Sequence, residues 1–313
     1  MASITGESNV MQRVREYLTR AAATNSTILI TGETGTGKEL AAEFVHRSSP
    51  RRNHPLITIN CAAIPDSLLE SELFGYEQGA FTGAQSSRDG KLRAAHGGTV
   101  FLDEIGDMSL LAQAKILRVI DGKGIQKLGR NTSTPLNVRI IAATNREIEA
   151  LVAEEKFRKD LFYRLNVARV HLPPLRERRE DIPAIVSHYM QAFNHQFGRI
   201  CRLTDRTWDC LLSYDWPGNV RELKNLLEAS FLQGSSVEIS TDQLPPVLLR
   251  STGQEPQHSR DEQRRLLSAL LSTNWNKSRA AEKLRWSRMT LYRKIAKYGV
   301  SKAASQGFTL TGM

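Results

Sequence analysis

Five β-branched or aliphatic residues, Thr27, Ile28, Leu29, Ile30 and Thr31, run straight into Gly32, Glu33, Thr34, Gly35, Thr36, Gly37, Lys38 and Glu39. No other stretch constrains the chain as much as this junction. The first five read as a short buried strand. The next eight fit the spacing G-x-x-x-x-G-K, and residues 40–46 read as a helix. Alone, these letters also describe a solvated glycine turn. Strand, glycine loop and helix in succession favour a phosphate cradle. Glycines let successive N–H groups face an anion, and the helix N-terminus adds partial positive charge. Lys38 is placed to reach the outer phosphates. Glu39 stands where Ser or Thr is usual, so a magnesium ion has to lean on other ligands.

The chain continues in alternation. Apolar residues at 10, 11, 14, 17 and 18 predict a helix that Ser8 can cap. Residues 55–60, 98–104 and 138–145 read as further strands, with helices at 68–74 and 110–120. Such alternation predicts a mainly parallel, helix-flanked sheet with its site at the strand C-termini. After Pro173 and Pro174 the pattern is helical only, from 182 to about 232. Residues 235–260 read as a linker with one short turn near Leu244. Short helices follow from 261, and residues after 301 read as a frayed tail.

Charge separates the two ends. The net charge is +10 over 313 residues. Residues 277–297 carry eight Lys or Arg against one acid, Glu282, and so hold +7 of it. Such clustering points to a polyanion partner, nucleic acid before membrane. Cys61, Cys201 and Cys210 form no C-x-x-C pair, so no disulfide framework is expected and a reducing cytoplasm fits. The scattered histidines predict no zinc site, and no apolar run approaches the ~18 residues of a membrane span.

Several constellations carry chemistry beside the cradle. Asp103 and Glu104 close an apolar strand; an Asp there can hold magnesium through water, and a Glu can polarise the attacking water. Taken by themselves they read first as a solvated acidic turn; the cradle upstream in the same sheet favours the catalytic pair. Asn145 closes the next strand, where it can sense a γ-phosphate or simply start a loop. Arg158 and Arg164, six apart, read as a solvated helical face in a single chain and as arginine fingers in a ring of copies. Gly79, Ala80, Phe81, Thr82, Gly83 and Ala84 place an aromatic between glycines. They form either a mobile loop with Phe81 tucked back or a tip that touches another macromolecule. Finally, Ala280, Ala281 and Leu284 share one helical face, and Ser287 can cap a second helix with Leu291 and Ile295 inward. Lys277, Ser287, Arg288, Thr290, Arg293, Lys294 and Lys297 then form a helix-turn-helix surface suited to a major groove.

Together these residues resemble the bacterial enhancer-binding proteins, the AAA+ activators of RNA polymerase carrying sigma-54, over residues 4 to about 298. The most specific element is the loop 79–84, which in that family contacts sigma-54. The stretch 32–39 is similar to the family's phosphate loop, glutamate included, and Asp103 and Glu104 to its Walker B pair. The resemblance implies that Asn60 switches the catalytic glutamate, that Thr144 and Asn145 form sensor I, and that Arg158 and Arg164 act in trans. It also implies that Arg221, within Trp216-Pro-Gly-Asn-Val-Arg-Glu-Leu-Lys224, reaches nucleotide from a helical lid. The C-terminal motif resembles the Fis-type reader, with Arg285 where the turn commonly has glycine.

The expected fold is therefore an α/β AAA+ P-loop parallel sheet flanked by helices over 1–172, with a small α-helical lid over 173–234. A linker over 235–260, an all-α helix-turn-helix over 261–300 and a tail over 301–313 complete it. The expected cofactors are ATP and Mg2+. The expected partners are sigma-54 with RNA polymerase holoenzyme, enhancer double-stranded DNA, and further copies in a hexameric ring. No receiver or sensing domain is read before residue 4, which points to control by a partner in trans; an excised fragment would read the same way. A DNA-processing motor or loader shares the cradle but has no reason to carry the apolar loop. A nucleotide-switched DNA-binding regulator would have no steady turnover.

Overall fold

A computed structural model describes residues 4–233, 237–251, 265–266, 268–270, 272–273, 275–284, 286 and 288–297. The chain divides into two compact units, Met1–Gln243 and Leu244–Met313. The first is built on a five-stranded sheet: β1 (Ile28–Thr31), β2 (Leu56–Asn60), β3 (Thr99–Asp103), β4 (Arg139–Thr144) and β5 (Ala168–His171). All pairings are parallel and the order is β2-β3-β4-β1-β5. β1 is buried at every position, as the uninterrupted run 28–31 requires for a strand paired on both sides.

Alternate residues of these strands feed two cores. Ile28, Ile30, Ile141 and Ala143 pack with Met11, Val14 and Leu18 of α1 (Asn9–Ala22) and with Ala41, Ala42 and Val45 of α2 (Lys38–Arg47). Leu29, Val100, Leu102, Ile140 and Ala142 face the other side. They pack with Leu69 and Leu73 of α3 (Asp66–Phe74), and beyond α4 (Lys91–Ala94) with Ile116 of α5 (Leu110–Ile120). Beyond α6 (Ile148–Ala153), Leu161 and Leu165 of α7 (Lys159–Leu165) complete that side. Because the chain jumps from β1 to β2 and then fills the gap with β3 and β4, the C-terminal ends of β1, β3 and β4 lie side by side. That reversal of strand order is where an open α/β sheet offers a crevice.

β5 is absent from the sequence reading. Its signal is short: Ala168, Val170 and Leu172 turn inward while Val167, Arg169 and His171 stay out, the alternation of an edge strand. The lid contains α8 (Ile182–Phe197), α9 (Asp205–Ser213) and α10 (Asn219–Gln233). It is not purely helical, since Arg202–Leu203 pairs in parallel with Glu238–Ile239. The expected linker is likewise structured where it is described. Beyond that pairing come a 3-10 turn, Thr241–Gln243, and a helix, α11 (Pro246–Ser251).

In the second unit, α12 (Lys277–Leu284) and α13 (Arg288–Lys297) close on a small core of Leu266, Ala269, Leu270, Ala280, Ala281 and Leu291. Leu284 and Ile295 pack at its margin, as the sequence predicts. Asn276 caps α12, its Oδ1 accepting from the N–H groups of Ser278 and Arg279. Arg285 and the expected cap Ser287 lie outside the described residues, as does the tail. Among the described residues no helix is long and apolar enough to cross a membrane.

Candidate functional site

The loop between β1 and α2 wraps Lys38. Its ammonium donates to the carbonyls of Gly32 (3.0 Å) and Glu33 (3.4 Å) and stands 3.5 Å from Glu104 Oε1. The side chain is 6% exposed, so this charge is held out of water only by partners of opposite polarity. Gly35 has φ 81°, and a Cβ there would lie 2.3 Å from the carbonyl oxygen of Gly218, so no side chain fits.

Asp103 ends β3. Burial, then the neighbouring charge of Glu104, push its carboxyl upward, while Lys38 opposes them. Two adjacent carboxylates, one partly desolvated, suit a divalent cation, which would reverse that balance. Glu104 follows at φ 52°, a left-handed position that costs a non-glycine residue about 1 kcal/mol or more. The kink turns its carboxylate inward: Oε2 accepts from the Asn145 N–H at 3.0 Å. The Asn145 side chain in turn donates to Thr34 Oγ1 at 3.0 Å. The ends of β1, β3 and β4 are thus tied into one cluster. Burial and the acids Asp103, Asp107 and Glu104 push the Cys61 thiol up to about 12, which excludes it as a nucleophile.

A cleft of about 420 Å³ opens here, lined by Thr34, Gly35, Gly37, Lys38, Glu39, Asp103 and Glu104, with Arg221 and Lys224 of α10 on the opposite wall. The lid also grips the loop through residues that the sequence reading leaves unassigned. Asn219, fully buried at φ 54°, donates to Glu33 Oε2 (3.1 Å) and to Thr34 O (3.0 Å), and accepts from Leu175 N–H (2.7 Å). Val220 N–H donates to Gly35 O at 3.0 Å, and Arg178 donates to Thr36 O at 2.9 Å. Beside them an apolar cavity is walled by Ile4, Leu40, Leu172, Ile185 and Val220, with Thr36 and Gly37 at its edge.

Arg176 makes a two-pronged contact with Glu33, one prong at 2.8 Å. With Asn219 it holds that carboxyl at about 2, below the ordinary glutamate range. A depressed carboxylate contributes stability above its unfolded value and loses it as pH falls through the folded one. Both partners are about 40% exposed, so the effect is modest. Glu33→Gln is therefore expected to melt below wild type at neutral pH, with the gap closing toward about pH 2. Thermal unfolding across that range checks this, and a pH-independent gap would rule the ion pair out as the cause.

The remaining predicted residues fall in several places. Asn60 sits opposite Asp103 in the β2–β3 register, but its Oδ1 accepts from Ala62 and Ala63 N–H rather than holding Glu104. Arg158 precedes α7 and pairs with Asp160 at 2.8 Å; Arg164, in the last turn, pairs with Asp121 at 3.0 Å. Both are exposed and neither lines the cleft. The loop 79–84 is closed by Gly79 N–H to Ala84 O (2.9 Å) above a two-residue antiparallel pairing, Gly75–Tyr76 with Arg88–Asp89. Phe81 meets Tyr76 edge-on at 5.0 Å yet stays 42% exposed.

A neighbouring segment that the sequence reading does not single out braces this loop. Leu128 exchanges backbone bonds with Glu77 and Gly75, and Lys127 pairs with Asp89 at 2.8 Å. In the second unit the Lys277 ammonium sits 4.8 Å over the Tyr292 ring, and Arg293 is exposed. Thr290 and Lys294 are half-buried. The side chains of Arg288 and Lys297 lie outside the described residues.

Comparisons with known proteins agree with this geometry. Residues 4–171 match the sigma-54 interaction domain, 176–261 the AAA+ ATPase lid domain, and 260–298 the bacterial regulatory protein, Fis family. The DNA-binding transcriptional activator HyfR of Escherichia coli K12 is 43% identical over 322 residues, 96% of this chain and 48% of that protein. The Nif-specific regulatory protein of Azotobacter vinelandii is 43% identical over 297 residues, 90% of this chain and 56% of its own length. The chain thus spans about half the length of these two relatives. The transcriptional regulatory protein ZraR of Salmonella typhimurium is 42% identical over 299 residues, 93% of this chain and 68% of its own length. Among solved structures, NtrX from Brucella abortus in complex with ADP superposes with a TM-score of 0.75 at 35% identity, covering 96% of this chain and 70% of NtrX. The phosphate cradle, the lid and the paired C-terminal helices are accordingly those of one family, and the chain belongs to the sigma-54-interacting AAA+ transcription activators with a Fis-type helix-turn-helix.

Proposed function

We propose that the protein hydrolyses ATP and uses the energy to remodel sigma-54 RNA polymerase at promoters, from enhancer DNA held by its C-terminal helices. The observation that carries this is the joining of three strand ends at one point: Lys38 from the phosphate loop, Glu104 from β3 and Asn145 from β4. Phosphoryl transfer asks mainly for positioning and charge neutralisation. Lys38 and the loop amides receive the β- and γ-phosphates, and Arg221 reaches them from the lid. The adenine enters the apolar cavity beside Thr36. Glu104 leaves Lys38 when phosphate takes that cation, and is then free to orient the attacking water; Asn60, at the end of the neighbouring strand β2, supports that change. Asp103 would hold Mg2+ through water, and the ion would supply charge neutralisation between the outer phosphates. NtrX in complex with ADP and with ATP supports the same nucleotide class for this chain.

Copies of the chain assemble in a ring, with Arg158 and Arg164 facing the neighbour's cleft. The loop 79–84 is the output. It starts from the segment just after α3, and α3 follows β2 and Asn60. Phe81 and Thr82 contact sigma-54, while Lys277, Ser287, Arg288, Thr290, Arg293, Lys294 and Lys297 face DNA. Thr82→Ala is expected to keep ATP turnover and lose open-complex formation on a supercoiled promoter with sigma-54 polymerase. A Thr82→Ala protein that still opens the promoter would remove the loop from this role.

A further inference from the structure

The apolar cavity beside the phosphate loop has one wall from outside the sheet, the segment Ile4 and Thr5 that precedes α1. Such a segment has no ladder of its own and must be fastened by other groups. Arg15 of α1 donates to Gly6 O. From the lid, Asp181 takes three donors: its Oδ1 accepts from Glu7 N–H and Ser8 N–H, and its Oδ2 from the Ser8 hydroxyl, each at 2.7 Å. Asp181 is fully buried. Gly6 lies at φ 142°, and a Cβ there would come within 2.7 Å of Asp181 Oδ2, so the backbone is pressed against the carboxylate. Ser8 is also the cap of α1, its Oγ accepting from Met11 N–H at 3.3 Å.

Capping that helix needs only the Ser8 hydroxyl. The carboxylate adds short bonds of the strong, charge-assisted kind from three donors on two consecutive residues. The same turn carries Arg178, whose guanidinium holds Thr36 O. Residues 178–181 therefore grip both the loop that receives phosphates and the backbone that closes the base cavity.

We propose that Asp181 is a positioning residue for the nucleotide base: by fixing residues 6–8 it sets where Ile4 and Thr5 stand, and so makes the cavity select adenine over guanine. This deepens the nucleotide reading above and rests on it. Adenine and guanine differ in where their six-membered ring carries donor and acceptor. An apolar wall leaves the extra carbonyl and amino group of guanine without partners, and it rejects them only if it is held still.

The test measures equilibrium binding of fluorescent ATP and GTP analogues to the full chain, as wild type, Asp181→Ala, Asp181→Asn and Ser8→Ala. Wild type is expected to prefer the ATP analogue. Asp181→Ala is expected to weaken that analogue about ten-fold, with little change for GTP, so that selectivity collapses. Asp181→Asn keeps an oxygen for the two N–H groups and is expected to recover most of the selectivity. Should Asp181→Ala not fold, Ser8→Ala and Asp181→Asn decide, each with partial loss of selectivity expected. Folded variants that lose both analogues equally, or neither, overturn the proposal alone. A wild type that binds neither analogue overturns the nucleotide reading, and the proposal with it.

Discussion

Arg158→Ala, or Arg164→Ala, is expected to slow ATP turnover by about 10³-fold or more while leaving nucleotide binding nearly intact, the scale on which an arginine finger acts. The reasoning is geometric. The cleft of one chain is lined by Lys38, Arg221 and Lys224, and neither Arg158 nor Arg164 reaches it. Each is exposed and parked on a nearby acid, Arg158 on Asp160 and Arg164 on Asp121. Surface pairs of this kind contribute little to stability and yield readily to a phosphate. Turnover per chain is therefore expected to rise with protein concentration. Mixing two inactive proteins sharpens the test: Arg164→Ala keeps an intact cleft, Lys38→Ala keeps intact fingers, and the mixture is expected to regain phosphate release. A specific activity independent of concentration, with no complementation, would end the idea of a shared site.

Lys38→Ala is expected to reduce turnover by about 10²–10³-fold or more and to weaken nucleotide binding as well. Lys38 does two jobs. Its ammonium bridges Gly32 O and Glu33 O, which keeps the loop curled, and it pairs with Glu104. Alanine removes both, and leaves a carboxylate facing the phosphates uncompensated. Lys38→Arg is a poor substitute, because a planar fork cannot occupy the space of a compact ammonium inside the loop. Calorimetric titration with ATP and steady-state phosphate release separate the two effects. Wild-type turnover in Lys38→Ala would remove the loop from the chemistry.

Much of this was legible in the residues. The glycine spacing, the Asp103–Glu104 pair and the strand-helix alternation depend on local patterns, and local patterns survive folding. β5 was hidden because an edge strand buries one face only, and four residues of alternation resemble a loop. The pairing of Arg202–Leu203 with Glu238–Ile239 was hidden by shortness and separation. Asn219, Arg176, Arg178 and Asp181 were missed for another reason. Each acts on a residue over 140 positions away, and nothing nearby in the chain marks which partner it meets. Asn60 was placed beside Asp103 by its strand, but where its amide points is set by the turn that follows it.

Gly218 O stands where a side chain on Gly35 would have to be, and Val220 N–H is spent on Gly35 O. At Gly35 the roof that the lid lays over the loop is thus peptide bonded to peptide. Substitution has little purchase on such a roof. Any retuning of how tightly this cleft closes has to come through the exposed rim, where Arg176 and Arg221 present groups that can be exchanged without lifting the cover.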